Sequence, residues 1–356
     1  MSRMTDSAKK VLVGFSGGAD STAAVLMLRS EGWDVTGLHF TVTREDGQSL
    51  AAVRGLARHL ELPLITVDVS DRFEAIVIRD FCLAYAGGQT PNPCVLCNPA
   101  VKFHVLCQEA DRMEISRIAT GHYARIFRDP DGTCYVRKSA NKAKDQSYML
   151  YRLPQPMLSR TLFPLGEVAS KEKVRGYLEE FGSPNARSKD SQDICFIQGR
   201  TYQEFLGDRG LPDKPGSFTD REGNILGVHR GVHNYTPGQR KGLGIALGRP
   251  AYVVEINPEN NTVVLGAEAD LYRNSVELRD TVFTAFGASG RLPEPYRNLG
   301  VDVKLRYSAK LAPAVLHQAP GERITVTFDQ SQRAPAPGQS AVFYRKELIL
   351  GGGLIL

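Results

Sequence analysis

At 356 residues, 42% hydrophobic and 23% charged, the chain is too long for one ordinary core and reads as a soluble protein of two or three domains. No apolar run is long enough to span a bilayer, and the polar start MSRMTDSAKK excludes an ordinary signal peptide, so a cytoplasmic protein with no membrane partner is expected. A net charge of +5 suits a nucleic-acid partner without demanding one, and six cysteines without small-scaffold spacing argue against disulfide staples.

The first elements alternate. Val11–Phe15 reads as a buried strand, Ser21–Ser30 as a helix closed by Gly32, and Val35–Phe40 as a second strand. Leu50–Leu60 is helical, Leu64–Val67 a third strand, Arg72–Tyr85 helical again and Ile115–Ala119 another short strand. Such alternation predicts a parallel sheet covered by helices, with ligands bound where the loops after the strands gather. From about Thr201 helical periodicity nearly disappears, after the turn-rich joint GDRGLPDKPGS (207–217). Tyr252–Ile256 and Thr262–Leu265 flank NPENN as a hairpin. VDVKLRY (301–307) and ERITVTF (322–328) alternate apolar with polar residues, which suggests a small C-terminal barrel.

Behind the first strand stands GFSGGADST (14–22). Gly17 and Gly18 allow the backbone angles in which successive N–H groups form an anion nest, and the following helix adds its partial positive charge. Ser16, Ser21 and Thr22 offer hydroxyls, and Asp20 can cap the helix or help hold Mg²⁺. A capped glycine turn with no ligand is the plain alternative. No lysine follows the glycines, so this is not a Walker A loop, and it is not GxGxxG. SGGADS is similar to the SGGxDS loop of the PP-loop ATP pyrophosphatases, which cleave ATP between its α and β phosphates.

A second segment is GGQTPNPCVLCN (87–98), where Pro91 and Pro93 are expected to hold the chain extended ahead of a helix starting near Asn98. Cys94 and Cys97 then sit one turn apart at a helix N-terminus, where thiolates are favoured as nucleophiles or metal ligands. Half of a structural zinc site is the competing reading, though no partner CxxC or His pair lies nearby. Cys195 in SKDSQDICFI is expected to emerge from a polar loop into a short strand. Cys82, Cys107 and Cys134 lie among apolar neighbours or open a strand, and read as packing residues.

Taken in order, SGGADS, TPNPCVLCN, ATGHYAR, KDQSYML, SQDICFI, YTPGQRKGLGI, then RY and FYR…GGG resemble the tRNA-specific 2-thiouridylases (the MnmA/TrmU family) over nearly the whole chain. The resemblance implies an α/β fold: a parallel-sheet N-terminal PP-loop domain of the adenine-nucleotide α-hydrolase kind over 1–200, a small central domain over 201–270, and a C-terminal β-barrel over 271–356. It implies thiolation of the wobble uridine of tRNA at C2. Adenylation turns the carbonyl oxygen into AMP, a competent leaving group, which is why one site needs both ATP and cysteines.

By resemblance, Gly14, Phe15, Ser16, Gly17, Gly18, Ala19, Asp20 and Ser21 hold the ATP phosphates, while Phe40 and Gly121 line the nucleotide pocket. Phe40 stands where the family usually has methionine. Cys195 matches the residue that accepts persulfide sulfur from a donor protein, a cysteine desulfurase or relay protein, and Cys97 the nucleophile that works with it. Asn92, Pro93 and Cys94 match the target-base loop; some members carry aspartate at position 94, proposed as a base. Cys94, Cys97 and Cys195 are also the number that would ligate a 4Fe–4S cluster with one iron open, and both sulfur chemistries stay open. His122, Lys144, Asp145, Gln146, Arg306, Tyr307 and Gln339 match positions around tRNA.

Read from the residues alone, Lys304 and Arg306 share a strand face and, with Arg240 and Lys241, could meet phosphates, while His122 and Tyr123 are candidates to wall a flipped base. A PP-loop ligase acting on another substrate leaves the cysteines idle. A non-enzymatic sulfur carrier or RNA adaptor leaves the ATP loop idle.

Overall fold

Val11, Leu12 and Val13 are fully buried because their strand is covered on both faces, the position that a continuous apolar run fits. In the computed structural model, residues 9–43, 47–187, 194–197, 199–284, 292, 298–318 and 323–356 are described. The chain divides into two compact units, the first made of the described residues within 1–76, 94–192 and 347–349, the second of those within 77–93, 193–346 and 350–356.

The chain begins β1 (Lys10–Gly14), α1 (Ala19–Ser30), β2 (Asp34–Thr41), α2 (Gly47–His59) and β3 (Leu64–Asp68). A long helical stretch follows, from α3 (Ser70–Phe73) through a widened turn to α4 (Arg79–Ala86). Next come α5 (Pro93–Cys97), a second widened turn and α6 (Phe103–Arg112), then β4 (Arg117–Thr120) and the hairpin β5 (Ala124–Arg128)–β6 (Cys134–Lys138). The helices α7 (Gln155–Leu158) and α8 (Lys171–Glu180) flank β7 (Thr161–Leu162).

The five parallel strands run in the order β3-β2-β1-β4-β7. From β1 the chain moves outward through β2 and β3, then returns to β4 on the opposite side of β1. The direction of chain progression therefore reverses between β1 and β4, the switch point at which open α/β sheets bind ligands. Val174 and Leu178 of α8 pack in one core with Val25 and Leu28 of α1.

In the second unit the helix α9 (Tyr202–Asp208) corrects the expectation that helical structure nearly ends at Thr201. Thr201 and Glu204 cap its start reciprocally, a capping box. Then β8 (Gly216–Thr219), β9 (Ile225–His229), β10 (Tyr252–Asn257) and β11 (Thr262–Gly266) form a four-stranded sheet around Phe218, Val253 and Val263. The expected β10–β11 hairpin is present and antiparallel.

Last come β12 (Tyr272–Phe283), β13 (Asn298–Lys304), β14 (Ala312–His317), β15 (Ile324–Arg333), β16 (Ser340–Arg345) and β17 (Leu348–Ile355). They run β12-β15-β14-β13-β16-β17, and β12 pairs with β17 to close a six-stranded barrel. Of the apolar sets of the two alternating segments, Val301, Val303, Leu305, Ile324, Val326 and Phe328 are buried, while Tyr307, past the end of β13, is half-buried.

Candidate functional site

The loop between β1 and α1 is held from several sides. Phe15 donates its N–H to Leu38 O at 2.8 Å, and its carbonyl faces Nδ1 of buried His39 at 3.1 Å. Its side chain is buried and both its backbone polar groups are engaged within the fold, so Phe15 braces the loop. Gly17 sits at φ +79°, the left-handed conformation that a nest requires. Gly18, not Asp20, is the N-cap of α1. Thr22 and Ser21 donate their hydroxyls back to Gly18 O at 3.0 Å each, while Ser16 Oγ lies 3.2 Å from Ser21 Oγ and 3.4 Å from the Gly18 nitrogen. Ser16 is the exposed hydroxyl of the loop, and Ala19 is buried beneath it.

The loop after β4 packs directly on this one. A Cβ on Gly14 would stand 3.6 Å from both Phe40 and Thr120, so Phe40 is in place beside the loop. A Cβ on Gly121 would stand 2.8 Å from Asp20 C and Ser21 N; only glycine lets the two loops approach so closely. Tyr123 donates its hydroxyl to Asp20 Oδ1 at 2.8 Å. It is fully buried, and burial, then the Asp20 carboxylate, push its phenol above the ordinary range. That removes Tyr123 as a wall for a flipped base and shows why Asp20 does not cap the helix: its carboxylate is turned to Tyr123.

His122 keeps the wall role open. It lies 6.0 Å from the Phe103 ring and 6.2 Å from Phe163, with Nδ1 2.8 Å from Thr120 Oγ1. Burial, then the Lys102 charge, push its pKa down to about 3, so the imidazole is a neutral flat ring rather than a cation. Nearby, Asp145 accepts from the Ser139 and Ser147 N–H groups and the Ser147 hydroxyl. Gln146 Oε1 accepts from Tyr123 N at 2.9 Å. The Lys144-Asp145-Gln146 segment is thus braced onto the β4 loop.

Two features escaped sequence reasoning. Asn185 binds the phosphate loop directly, donating to Gly17 O and Thr22 Oγ1 at 2.8 Å each. Lys171, the first residue of α8, is buried and faces Asp20; burial pulls its pKa down and the carboxylate opposes that pull.

The cysteine segment is more helical than expected. Pro93 does not keep Cys94 and Cys97 in an extended loop; it opens α5, where its missing N–H costs nothing, and both cysteines lie within that helix. Cys94 is half-buried and Cys97 buried. Asn98 donates to Met149 O at 3.0 Å, tying this helix to the SYML turn. Cys195 is exposed, but in a turn rather than a strand, since Ile197 N–H bonds back to Ile194 O at 2.9 Å. Phe196 fixes that turn, packed 5.2 Å from both Phe81 and Phe205. The rest of the motif, residues 188–193, lies outside the described residues. Among the described residues no three His, Cys, Asp or Glu side chains are grouped to hold a metal ion. Cys134 is buried and Cys82 and Cys107 half-buried; burial raises the Cys107 thiol, as for a packing residue.

In the second unit, Gln339 Nε2 donates to Thr90 O at 2.7 Å and Thr90 N–H donates to Pro337 O, which docks the segment leading to Asn92 and Pro93 on the 336–339 turn. β13 stops at Lys304, so Lys304 and Arg306 do not share a strand face. Arg306 instead donates to Ala334 O at 2.6 Å, and Lys304 Nζ lies 5.4 Å from the Tyr307 ring. Arg240 and Lys241 are exposed.

Residues 9–199 match the family described as tRNA methyl transferase HUP domain, 203–267 the tRNA methyl transferase PRC-barrel domain, and 290–355 the aminomethyltransferase beta-barrel domain. A tRNA-specific 2-thiouridylase MnmA of Acetivibrio thermocellus is 44% identical, covering 98% of this chain and 99% of its own. Proteins of that name from Clostridium perfringens and Clostridioides difficile are 40% and 39% identical, each over 98% of both chains. A phosphate loop at the sheet's switch point, followed by matching segments over essentially the whole length, leaves one placement: the chain belongs to the tRNA-specific 2-thiouridylase MnmA family.

Proposed function

We propose that this protein is a cytoplasmic, ATP-dependent tRNA-uridine 2-sulfurtransferase acting on the wobble base. The carrying observation is the glycine nest at the β1/β4 switch point, joined by Gly121 to the segment holding His122. It supports ATP use, and the name of the relatives supplies the acceptor. Methyl transfer, which the family descriptions mention, would leave a phosphate nest and an exposed cysteine idle.

In this reading residues 14–21 hold the ATP phosphates, Asp20 would help hold the Mg²⁺ that accompanies ATP and offsets its charge, and Phe40 and Gly121 border the nucleoside. Uridine O2 attacks the α-phosphorus, and the bond to the β-phosphate breaks to release pyrophosphate. A donor protein leaves a persulfide on Cys195, whose exposure suits that hand-over. Its terminal sulfur attacks C2 and AMP departs with the oxygen. Cys97 thiolate then attacks Cys195 Sγ, breaking the S–S bond, freeing 2-thiouridine and leaving a disulfide for a thiol reductant to reopen.

Asn92, Pro93 and Cys94 border the base, while His122, Lys144, Asp145, Gln146, Arg306, Tyr307 and Gln339 serve the RNA. The work divides among modules at 1–200, 201–270 and 271–356.

Pyrophosphate release, measured with and without tRNA and with a persulfide donor, tests the reading. The expected result is tRNA-dependent release, one pyrophosphate per thiouridine formed. Release that ignores tRNA favours a ligase acting on another substrate, and no release favours a sulfur carrier.

A further inference from the structure

The peptide joining Gly17 to Gly18 has no side chain on either flank, so it is the easiest in the loop to turn over. Its orientation matters, because C=O and N–H of a trans peptide point in opposite directions. Turned over, it would present a carbonyl oxygen to an anion. Asn185 controls this. A carbonyl oxygen can only accept, so the atom 2.8 Å from Gly17 O is the Asn185 amide nitrogen. The same NH₂ group donates to Thr22 Oγ1 at 2.8 Å, whose own proton goes to Gly18 O. Ser183, buried, donates its hydroxyl to Asn185 Oδ1 at 2.7 Å and fixes the amide plane. With Gly17 O held on this side, the Gly18 N–H faces the other, where it makes a long 3.4 Å bond to the exposed Ser16 Oγ.

We propose that Asn185 is a positioning residue of the phosphate loop, locking the Gly17–Gly18 peptide so that its N–H is presented to the ATP phosphates. The role rests on the reading of this loop as the ATP site.

The test uses the full-length protein, ATP titrated by calorimetry without tRNA, and steady-state thiolation. Asn185→Ala should weaken ATP binding about tenfold, the worth of one lost hydrogen bond to a charged group. Asn185→Asp should weaken it further, because a carboxylate cannot donate and repels both Gly17 O and phosphate. Ser183→Ala, a milder change, should weaken it by about threefold. In each variant KM for ATP should rise while KM for tRNA stays put. Folded variants that bind ATP as the wild type does, with only a lower melting temperature, would reduce Asn185 to a structural brace and overturn the proposal. Wild-type protein that binds no ATP overturns the phosphate-loop reading and this role with it, a distinguishable outcome.

Discussion

Gly121→Ala isolates the contact on which the candidate site is built. Its backbone is not in the left-handed region, so alanine brings a steric cost alone. The new methyl would stand 2.8 Å from Asp20 C and Ser21 N and 2.9 Å from Asp20 O, against 3.4 Å for ordinary contact, so something must yield by about 0.6 Å. All three obstacles are backbone atoms of the first turn of α1, and no rotamer change relieves them. Overpacking of this kind costs about 1–3 kcal/mol, or a melting point lower by roughly 2–4 °C per kcal/mol. If α1 retreats, a loop N–H that reached phosphate at about 2.9 Å moves to about 3.5 Å, outside hydrogen-bond range. Losing one such charge-assisted bond weakens ATP by about tenfold to a hundredfold. Calorimetric titration with ATP, beside a thermal melt, reads both effects. Gly55→Ala in α2, where a Cβ meets nothing within 4 Å, is the control. It should raise stability by about 0.5–1 kcal/mol and leave ATP binding alone. Gly121→Ala protein with wild-type ATP affinity and melting point would refute the contact between the two loops.

Cys97→Ala and Cys195→Ala should abolish thiolation supported by a persulfide donor, Cys94→Ala should retain part of it, and Cys82→Ala should change only stability; iron-dependent activity lost in Cys94→Ala would point to a cluster instead. Arg306→Ala should flatten the slope of log Kd for tRNA against log salt by about 0.7–0.9; an unaltered slope with a lower melting point would confine Arg306 to its bond with Ala334. Burial holds His229 and His233 neutral, with the Asn261 and Asp213 interactions opposing it, so the unfolded chain binds protons that the folded one refuses. That stability is whole above about pH 6.5 and is lost as pH falls, so the melting point should drop on acidification, less steeply in His229→Gln; a slope equal to the wild type would exclude His229.

The sheet was legible because each of its central strands states its burial locally. Val11-Leu12-Val13 is apolar at every position, as only a doubly covered strand is. The phosphate loop was legible because its conformation demands glycine. The start of α9 was equally available in Thr201-x-x-Glu204 and was outweighed by the surrounding Gly/Pro texture. Cys195 shows a limit. Polar flanks gave no sign that Phe196 would be clamped by Phe81, more than a hundred residues earlier, and the clamp makes a turn where a strand was expected. Tyr123 and Asn185 were illegible for the same reason. Their partners, Asp20 and Gly17, lie 103 and 168 residues away, and nothing in their neighbours specifies the pairing.

The residues matched to tRNA raise a question that motif likeness leaves open, since a side-chain atom engaged within the fold is not offered to a ligand. Asp145 spends its oxygens on Ser139 and Ser147, and as a carboxylate it would in any case repel phosphate; a part for it in RNA binding would pass through the placing of Lys144. Gln146 gives its carbonyl oxygen to Tyr123 N–H, which leaves the NH₂ as the end that can face an acceptor on RNA. Gln339 is the reverse case: its NH₂ goes to Thr90 O, so its carbonyl oxygen can serve only a donor such as a ribose 2′-hydroxyl or a base N–H. Gln146 and Gln339 would thus each combine a brace with a contact, and Tyr123 joins the Gln146 brace to the phosphate loop through Asp20. The segment matched to tRNA and the phosphate loop are thus tied by one hydrogen-bonded chain, Gln146–Tyr123–Asp20.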